Sequence, residues 1–525
     1  MRGNLFEENF EENIMKKYLS IFLMTLLALT ALSACTGGTG ESSEDKTSKN
    51  ATYGGTVVVG IQQDIDGLDP HKVTAAGTKE ILFNIFEGLV KCDSTGDLIG
   101  AVATDYTLSD DGLVYTFNLR PGVKFHNGNE VTAEDVKYSL ERAAGILDGT
   151  PLVAPLSDIT AVDIVDDSTV RVTVASVNPE LIYSFTTAII PKGSGEDENA
   201  DPIGTGPFRF VSYTPQEGIV IEKNKDYYIK GIPYLDEVDF KIITSAETAL
   251  VEMKAGTVQV YPYLTDAQAT EVSQSMQVLM APSVNVQALF FNNQTEPLND
   301  PKVRQAICYA LNREEISGFV AGGDATIISS AMLPTLESYY VDLNDTYGTT
   351  GNVEKAKELL TEAGYPDGFD LTITIPSNYE FHMDTGEVVV EQLKAAGINA
   401  KIDAVEWNTW LSDVYTDRNY QSTICAITSD MTPGYLLNRF VSDSKKNFIN
   451  FNSPEFDSVY ANVLEAKTLG ERGVLYKELQ KILADEAGSA FLQVPANKVA
   501  FSNELGGYKF YPVYVQDMST VYYNK

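Results

Sequence analysis

Four cysteines, three histidines and 73 carboxylates are the groups in this 525-residue chain that could act as nucleophile, metal ligand or acid–base pair. Their spacing argues against each role. Cys35, Cys92, Cys308 and Cys425 form no CxxC pair, and His71, His126 and His382 are too scattered for a metal-ligand set of recognisable spacing. No GxSxG, HExxH or GxxxxGK[ST] segment occurs, so nucleophile elbow, zinc-protease helix and phosphate loop are all missing from the sequence. Gly204-Thr205-Gly206-Pro207 is glycine-rich, but it follows Pro202 and precedes the strand-like FRFV, which suits a tight turn better than a phosphate cradle. Among so many carboxylates, pairs must arise by chance, and they carry no information about acid–base chemistry. The expectation is a protein that is not an enzyme and needs neither cofactor nor metal.

Cys35 stands apart from the other thiols. Lys16 and Lys17 open a positive start, Ile21–Leu32 is apolar apart from Thr, and small residues lead into the cysteine. Residues 1–34 therefore read as a secretory signal whose apolar run is too short to span a bilayer. Leu32-Ser33-Ala34-Cys35 resembles a bacterial lipobox. That resemblance implies cleavage before Cys35 and a diacylglyceryl thioether on its sulfur, anchoring the protein to the outer face of the cell membrane. Two acyl chains, at roughly 0.8 kcal/mol per buried CH₂, hold where one would let go. The four Glu of Met1–Ile14 have the wrong sign for a leader, so translation is expected to start at Met15. Residues 35–52 then form a flexible Gly/Ser/Thr-rich tether.

The elements that must position any site are those of a folded globular body. Apolar residues make up 44% and aromatics 10%, and the length allows about three domains of ~150 residues. A net charge of −35 leaves no basic surface to replace phosphate counterions, which excludes nucleic acid as partner, and it opposes adhesion to anionic lipid. From Tyr53 onwards strand and helix signals interleave. Tyr115, Phe117 and Leu119 alternate with polar residues, as do VRVTV (170–174) and LTITI (371–375), and each predicts a half-buried strand. Thr132 with Asp135 predicts a capping box, Asp300-Pro301 a second helix start, and Asn352 a third, closed by Gly364 and Pro366.

Ordered motifs then fix the class. LDPHK (68–72), NIFEGL (84–89), SDDG (109–112), YTFNLRPGVKFHNG (115–128) and TAEDV (132–136) are followed by IGTGPFRF (203–210), DPKVRQAICYALNREEI (300–316) and EKAKELLTEAGYPDGF (354–369). Together they resemble the extracytoplasmic solute-binding protein family 5, the dipeptide- and oligopeptide-binding proteins of ABC importers, over about residues 54–525. The resemblance implies a monomeric α/β protein with a two-lobed periplasmic-binding-protein-like fold (type II, cluster C), an extra domain in the first lobe and a hinge between lobes. Domain I would comprise 53–86, 203–284 and 490–525, domain II 87–202, and domain III 285–489. The function implied is capture of a peptide outside the membrane and delivery to an ABC permease.

The same resemblance assigns site residues. Asp430, in ICAITSDMTPGY, matches the carboxylate that receives a peptide α-amino group. Trp407 matches a pocket-wall tryptophan, and Thr74 and Ala76 match the segment whose backbone pairs with ligand. Read as residues alone, Asp430 also fits a local turn cap and Trp407 plain core. The chain departs from relatives at Ala426-Ile427, where many have Gly-Trp, at Ile424, where one peptide-binding branch has Arg, and at Gln421, where Asp is frequent. Its pocket is therefore expected to be drier and less cationic, and a ligand carboxylate to be held differently. An oligosaccharide, nickel chelate, haem or opine remains the alternative cargo, and a surface hydrolase or adhesin the alternative of another class.

Overall fold

The computed structural model describes residues 51–525 except Asp197, Asn199, Asp430 and Met431. The signal segment, Cys35 and the tether up to residue 50 lie outside the described residues, as does Asp430.

Three sheets organise the body. Sheet I has the strand order Gln277–Pro282, Ala496–Phe501, Val260–Tyr261, Thr56–Ile61, Glu237–Ile242, Gly218–Lys223, Phe208–Thr214. Sheet II is antiparallel, with order Ala103–Leu108, Val114–Leu119, Thr169–Val174, Ile159–Asp166. Sheet III runs Thr326–Ile327, Ser489–Val494, Asn285–Phe291, Ser422–Thr428, Asp370–Pro376, Asn399–Val405. Sheet III is buried on both faces, each by its own apolar cluster, which is why its central strand NVQALFF is buried from Val286 onward and ends in the unbroken apolar run ALFF. Sheet II packs one face on helix Ala133–Ala144 and keeps the alternation that predicted it.

The predicted helix starts are built as their sequences require. Thr132 and Asp135 exchange side-chain-to-backbone bonds in a capping box, and Gly145 ends that helix in the left-handed region. Asp300 accepts from the Lys302 N–H ahead of helix Pro301–Ala310, and Asn352 accepts from the Lys355 N–H ahead of Val353–Glu362. The Gly204–Pro207 segment is buried against residues 84–86. The Gly206 N–H donates to the Ile85 carbonyl at 2.9 Å, and a Cβ on Gly206 would meet the Asn84 oxygen at 2.5 Å. It is a backbone-packing device and not an anion site.

The motif residues Asp69 and His71 are structural too. Arg142 binds the Asp69 carboxylate with both guanidinium ends, at 3.1 and 2.6 Å. Burial would raise the Asp69 pKa, but those hydrogen bonds hold it below the usual carboxylate range. His71 Nδ1 takes a bond from the same guanidinium, and its Nε2 faces the Ala188 carbonyl at 2.8 Å. Burial holds the imidazole near a pKa of about 4, so it is neutral at physiological pH. The motif thus fastens the start of the chain to the segment bearing sheet II.

The chain crosses between sheets I and III twice, from Pro282 to Asn285 and from Val494 to Ala496. The two crossings lie side by side, with the Ser283 N–H bonded to the Pro495 carbonyl at 2.8 Å. Two short adjacent connections between two sheeted lobes make the hinge.

Candidate ligand-binding cleft

Strand direction decides where a site can form. In sheet III, Asp370–Pro376 is parallel to both Asn399–Val405 and Ser422–Thr428, so Pro376, Val405 and Thr428 end on one edge. Asn285 lies opposite Thr428 on that edge, where the first crossing enters. In sheet I, Thr56–Ile61 is parallel to Glu237–Ile242 and Val260–Tyr261, and these strands likewise end toward the crossings. Ligands of open α/β sheets bind beyond the carboxyl ends of the parallel strands. Here two such edges meet at the hinge.

A cavity of about 220 Å³ lies between them, lined among others by Tyr263, Val284, Asn285, Asn497, Lys498 and Tyr514. Its ammonium is already committed. Lys498 Nζ sits 2.7 Å from both Asp266 and Asp324, one carboxylate from each lobe. Burial would lower the Lys498 pKa, yet the two aspartates raise it, so the charge is permanent. Asn497 Oδ1 is a buried acceptor with no hydrogen-bond partner among the described residues. Beside the cavity, Glu80 is buried and receives the Tyr263 hydroxyl. Burial pushes its carboxyl up to about 7, against the lowering effect of Tyr263 and Gln516. The described lining therefore presents an unpartnered acceptor and no uncommitted cation.

Thr74, Ala76 and Trp407 are not among the residues that line this cavity. Thr74 and Ala76 are exposed just after the first strand of sheet I. The Thr74 N–H and hydroxyl both donate to Asp66, at 2.8 and 3.0 Å, and the Ala75 N–H joins them at 2.9 Å. The Thr74 amide is thus taken internally, and its carbonyl is the group left for pairing. Ala76 opens helix Ala76–Leu82, where first-turn amides have no intrahelical acceptor.

Trp407 follows the last strand of sheet III and is 38% exposed. It stacks on Trp410, with ring centroids 5.2 Å apart and planes 7° apart, and meets Tyr379 edge-on at 5.5 Å. Trp410 is the core member of the pair, its indole N–H bonded to Thr423 at 2.9 Å. Trp407 is therefore the exposed member of the pair, beside Tyr379. Asp430, two residues beyond the end of Ser422–Thr428, lies outside the described residues.

Sequence reasoning missed several groups. Behind Tyr379 a buried polar chain runs from Gln493 to Gln287 at 2.8 Å, then to His382 Nδ1 at 2.9 Å and Thr385 at 3.1 Å. Burial holds His382 at a pKa of about 4. Tyr263, Lys498 and Tyr514 come from separate stretches of chain, and nothing in their local spacing announces that they share one cavity.

Comparisons with known proteins agree with this architecture. A family model described as bacterial extracellular solute-binding proteins, family 5, matches residues 97–448. Over 476 residues the chain is 27% identical to the glutathione-binding protein GsiB of Pectobacterium atrosepticum, covering 87% of this chain and 91% of that one. Among solved structures, the ABC transporter substrate-binding protein CtaP of Listeria monocytogenes superposes with a TM-score of 0.76 at 25% identity, over 90% of this chain and all of that one. The ABC transporter-associated periplasmic binding protein DppA of Helicobacter pylori, solved with the peptide STSA, gives a TM-score of 0.67 at 26% identity, over 90% of this chain and 99% of that one. All three relatives carry the names of binding proteins. The chain belongs to the bacterial extracellular solute-binding proteins of family 5 and is the substrate-binding protein of an ABC transporter.

Proposed function

We propose that the solute is a peptide, bound in the cleft between sheets I and III and handed to a membrane permease. The observation that carries this reading is a cavity whose lining offers the unpartnered acceptor Asn497 Oδ1 and whose one ammonium, Lys498, is saturated by Asp266 and Asp324. Such a lining favours a ligand that brings its own cation and amide donors, as a peptide does. The names of two relatives, one glutathione-binding and one solved with a tetrapeptide, point the same way. In this reading Asp430 receives the α-ammonium, Trp407 walls a side-chain pocket, and the backbone at Thr74 and Ala76 pairs with the ligand main chain.

The proposal extends to the rest of the chain. Domains I, II and III follow the assignment above around sheets I, II and III, with domain III extended to Val494 because strand Ser489–Val494 pairs within sheet III, and Cys35 carries the lipid that keeps a monomer at the outer face of the cell membrane. No helix among the described residues is long and apolar enough to cross a membrane.

Native mass spectrometry of the purified soluble body, followed by calorimetric titration with glutathione and with Ser-Thr-Ser-Ala, tests the reading. Intact peptide released on denaturation, or binding of either probe, is the expected result. Asp430→Ala should then weaken binding by roughly tenfold to a hundredfold, the size of one charge-assisted hydrogen bond. A bound glycan or metal chelate in place of peptide would sink the peptide assignment, and undiminished binding by Asp430→Ala would sink the role of that residue.

A further inference from the structure

Tyr263 stands in a backbone conformation that its residue type disfavours. Its φ is +61°, in the left-handed region, where the Cβ of an L-residue crowds the following carbonyl and glycine or asparagine is the usual occupant. Of the five non-glycine residues with positive φ among the described residues, Tyr263 alone lines the cavity at the hinge. Its turn is fixed from both sides. Strand Val260–Tyr261 of sheet I precedes it, and immediately after it the Leu264 N–H bonds the Lys498 carbonyl at 2.9 Å. Thr265 and Gln268 then form a capping box on helix Asp266–Val272. The short link between strand and helix turns through a left-handed residue, and the sequence places a tyrosine there against that preference.

The side chain is fastened at its far end. The Tyr263 hydroxyl donates to Glu80, which is only 4% exposed, and the Tyr263 carbonyl accepts from Gln62 Nε2 at 3.4 Å. The ring meets that of Tyr514 with centroids 6.3 Å apart. Because the hydroxyl is committed to Glu80, the group that Tyr263 offers the cavity is its ring. That cavity measures about 220 Å³, less than the roughly 300–1,000 Å³ usual for a ligand pocket, so a single ring decides much of what fits. Strain kept at a cavity wall, and over-determined by its surroundings, points to a use for the residue that bears it.

We propose that Tyr263 is a specificity-determining residue, a fixed wall that limits the size of the ligand side chain the cavity admits. The role rests on the peptide reading given above. The ring passes groups the size of alanine or leucine and excludes an indole. It discriminates by shape, through a clash with the larger group, and not by reading polarity. Glu80 serves the wall from behind by holding the hydroxyl, so the ring does not swing aside when a larger group presses on it.

Tyr263→Gly and Tyr263→Asn test the wall, since both remove the ring and both accept a left-handed backbone without added strain. The measurement is made at pH 6, where Glu80, pushed up to about 7 by burial, is largely protonated and leaves no buried anion when its partner is removed. Parent and variants are each incubated with an equimolar mixture of alanine tripeptides carrying leucine or tryptophan at every position in turn. Peptides retained through gel filtration are released by denaturation and quantified by mass spectrometry. The ratio of tryptophan- to leucine-bearing peptide should rise about tenfold or more in both variants. Added p-cresol, which has the shape of the lost side chain, should reverse that rise by filling the vacated space. An unchanged ratio would overturn the proposal, as would an equal loss of every peptide, the mark of a merely structural residue. If neither parent nor variants retain a tripeptide, the peptide reading fails, and p-cresol alone decides the wall. It should then raise the Tm of both variants and leave the parent unmoved, and no rise in the variants would overturn the role of Tyr263.

Discussion

Burial drives the Glu80 carboxyl up to about 7 because its partners, Tyr263 and Gln516, bring dipoles and no positive charge. The sign of the consequence is fixed by linkage. The folded pKa exceeds the unfolded value of 4.5, so the contribution is fully present below about pH 4.5 and is lost as pH rises through about 7. That loss amounts to at most about 3 kcal/mol. Comparing parent with Glu80→Gln cancels the opposing histidines, each held near 4, and Glu198, also near 7. The unfolding free energy of Glu80→Gln should therefore gain on the parent by up to about 3 kcal/mol between pH 5 and pH 8 in urea titrations. A constant difference across that range would mean the carboxylate is ionised in the fold. None of this was legible in the sequence, where Glu80 is one acid among many. Asp69 and His71 were visible as a motif, but their purpose appeared only with Arg142, seventy residues away.

At the scale of elements, legibility followed locality. The strand at 114–119 and the three capped helices rest on signals a few residues wide, alternation in one case and an oxygen placed before a free amide in the others. Sheet order does not. Thr56–Ile61 pairs with strands nearly two hundred residues further on, and those pairings follow from packing that no local pattern encodes. The polyvaline strand of sheet I shows only that it is buried, not against what. A capping box is the element whose worth can be measured alone. Thr132→Ala removes the acceptor of the Asp135 N–H and the partner of its carboxylate, and should cost about 1–2 kcal/mol in chemical unfolding. Thr132→Ser retains the oxygen and should cost little, so a large loss in both variants would point to the methyl group instead.

For the whole molecule, the question is what holds two lobes at one hinge. The crossings at 282–285 and 494–496 permit rotation, and Lys498 opposes it by bonding Asp266 on the sheet I side and Asp324 just before the edge strand of sheet III. Both aspartates are well exposed, at 55% and 36%, so each bond is discounted by solvent and is worth about 1 kcal/mol. That is still enough to shift a two-state equilibrium between open and closed lobes by about fivefold. Asp324→Ala removes the Lys498 bond that crosses between lobes and leaves the Asp266 bond within its own lobe intact. The ligand-free variant should therefore show a larger radius of gyration in small-angle X-ray scattering. The parent should drift in the same direction in 1 M salt, where screening falls to about 3 Å, and the variant should not. Equal radii for parent and variant would mean that Lys498 merely neutralises the neighbouring aspartates, and that the balance between open and closed forms lies with other contacts between the lobes.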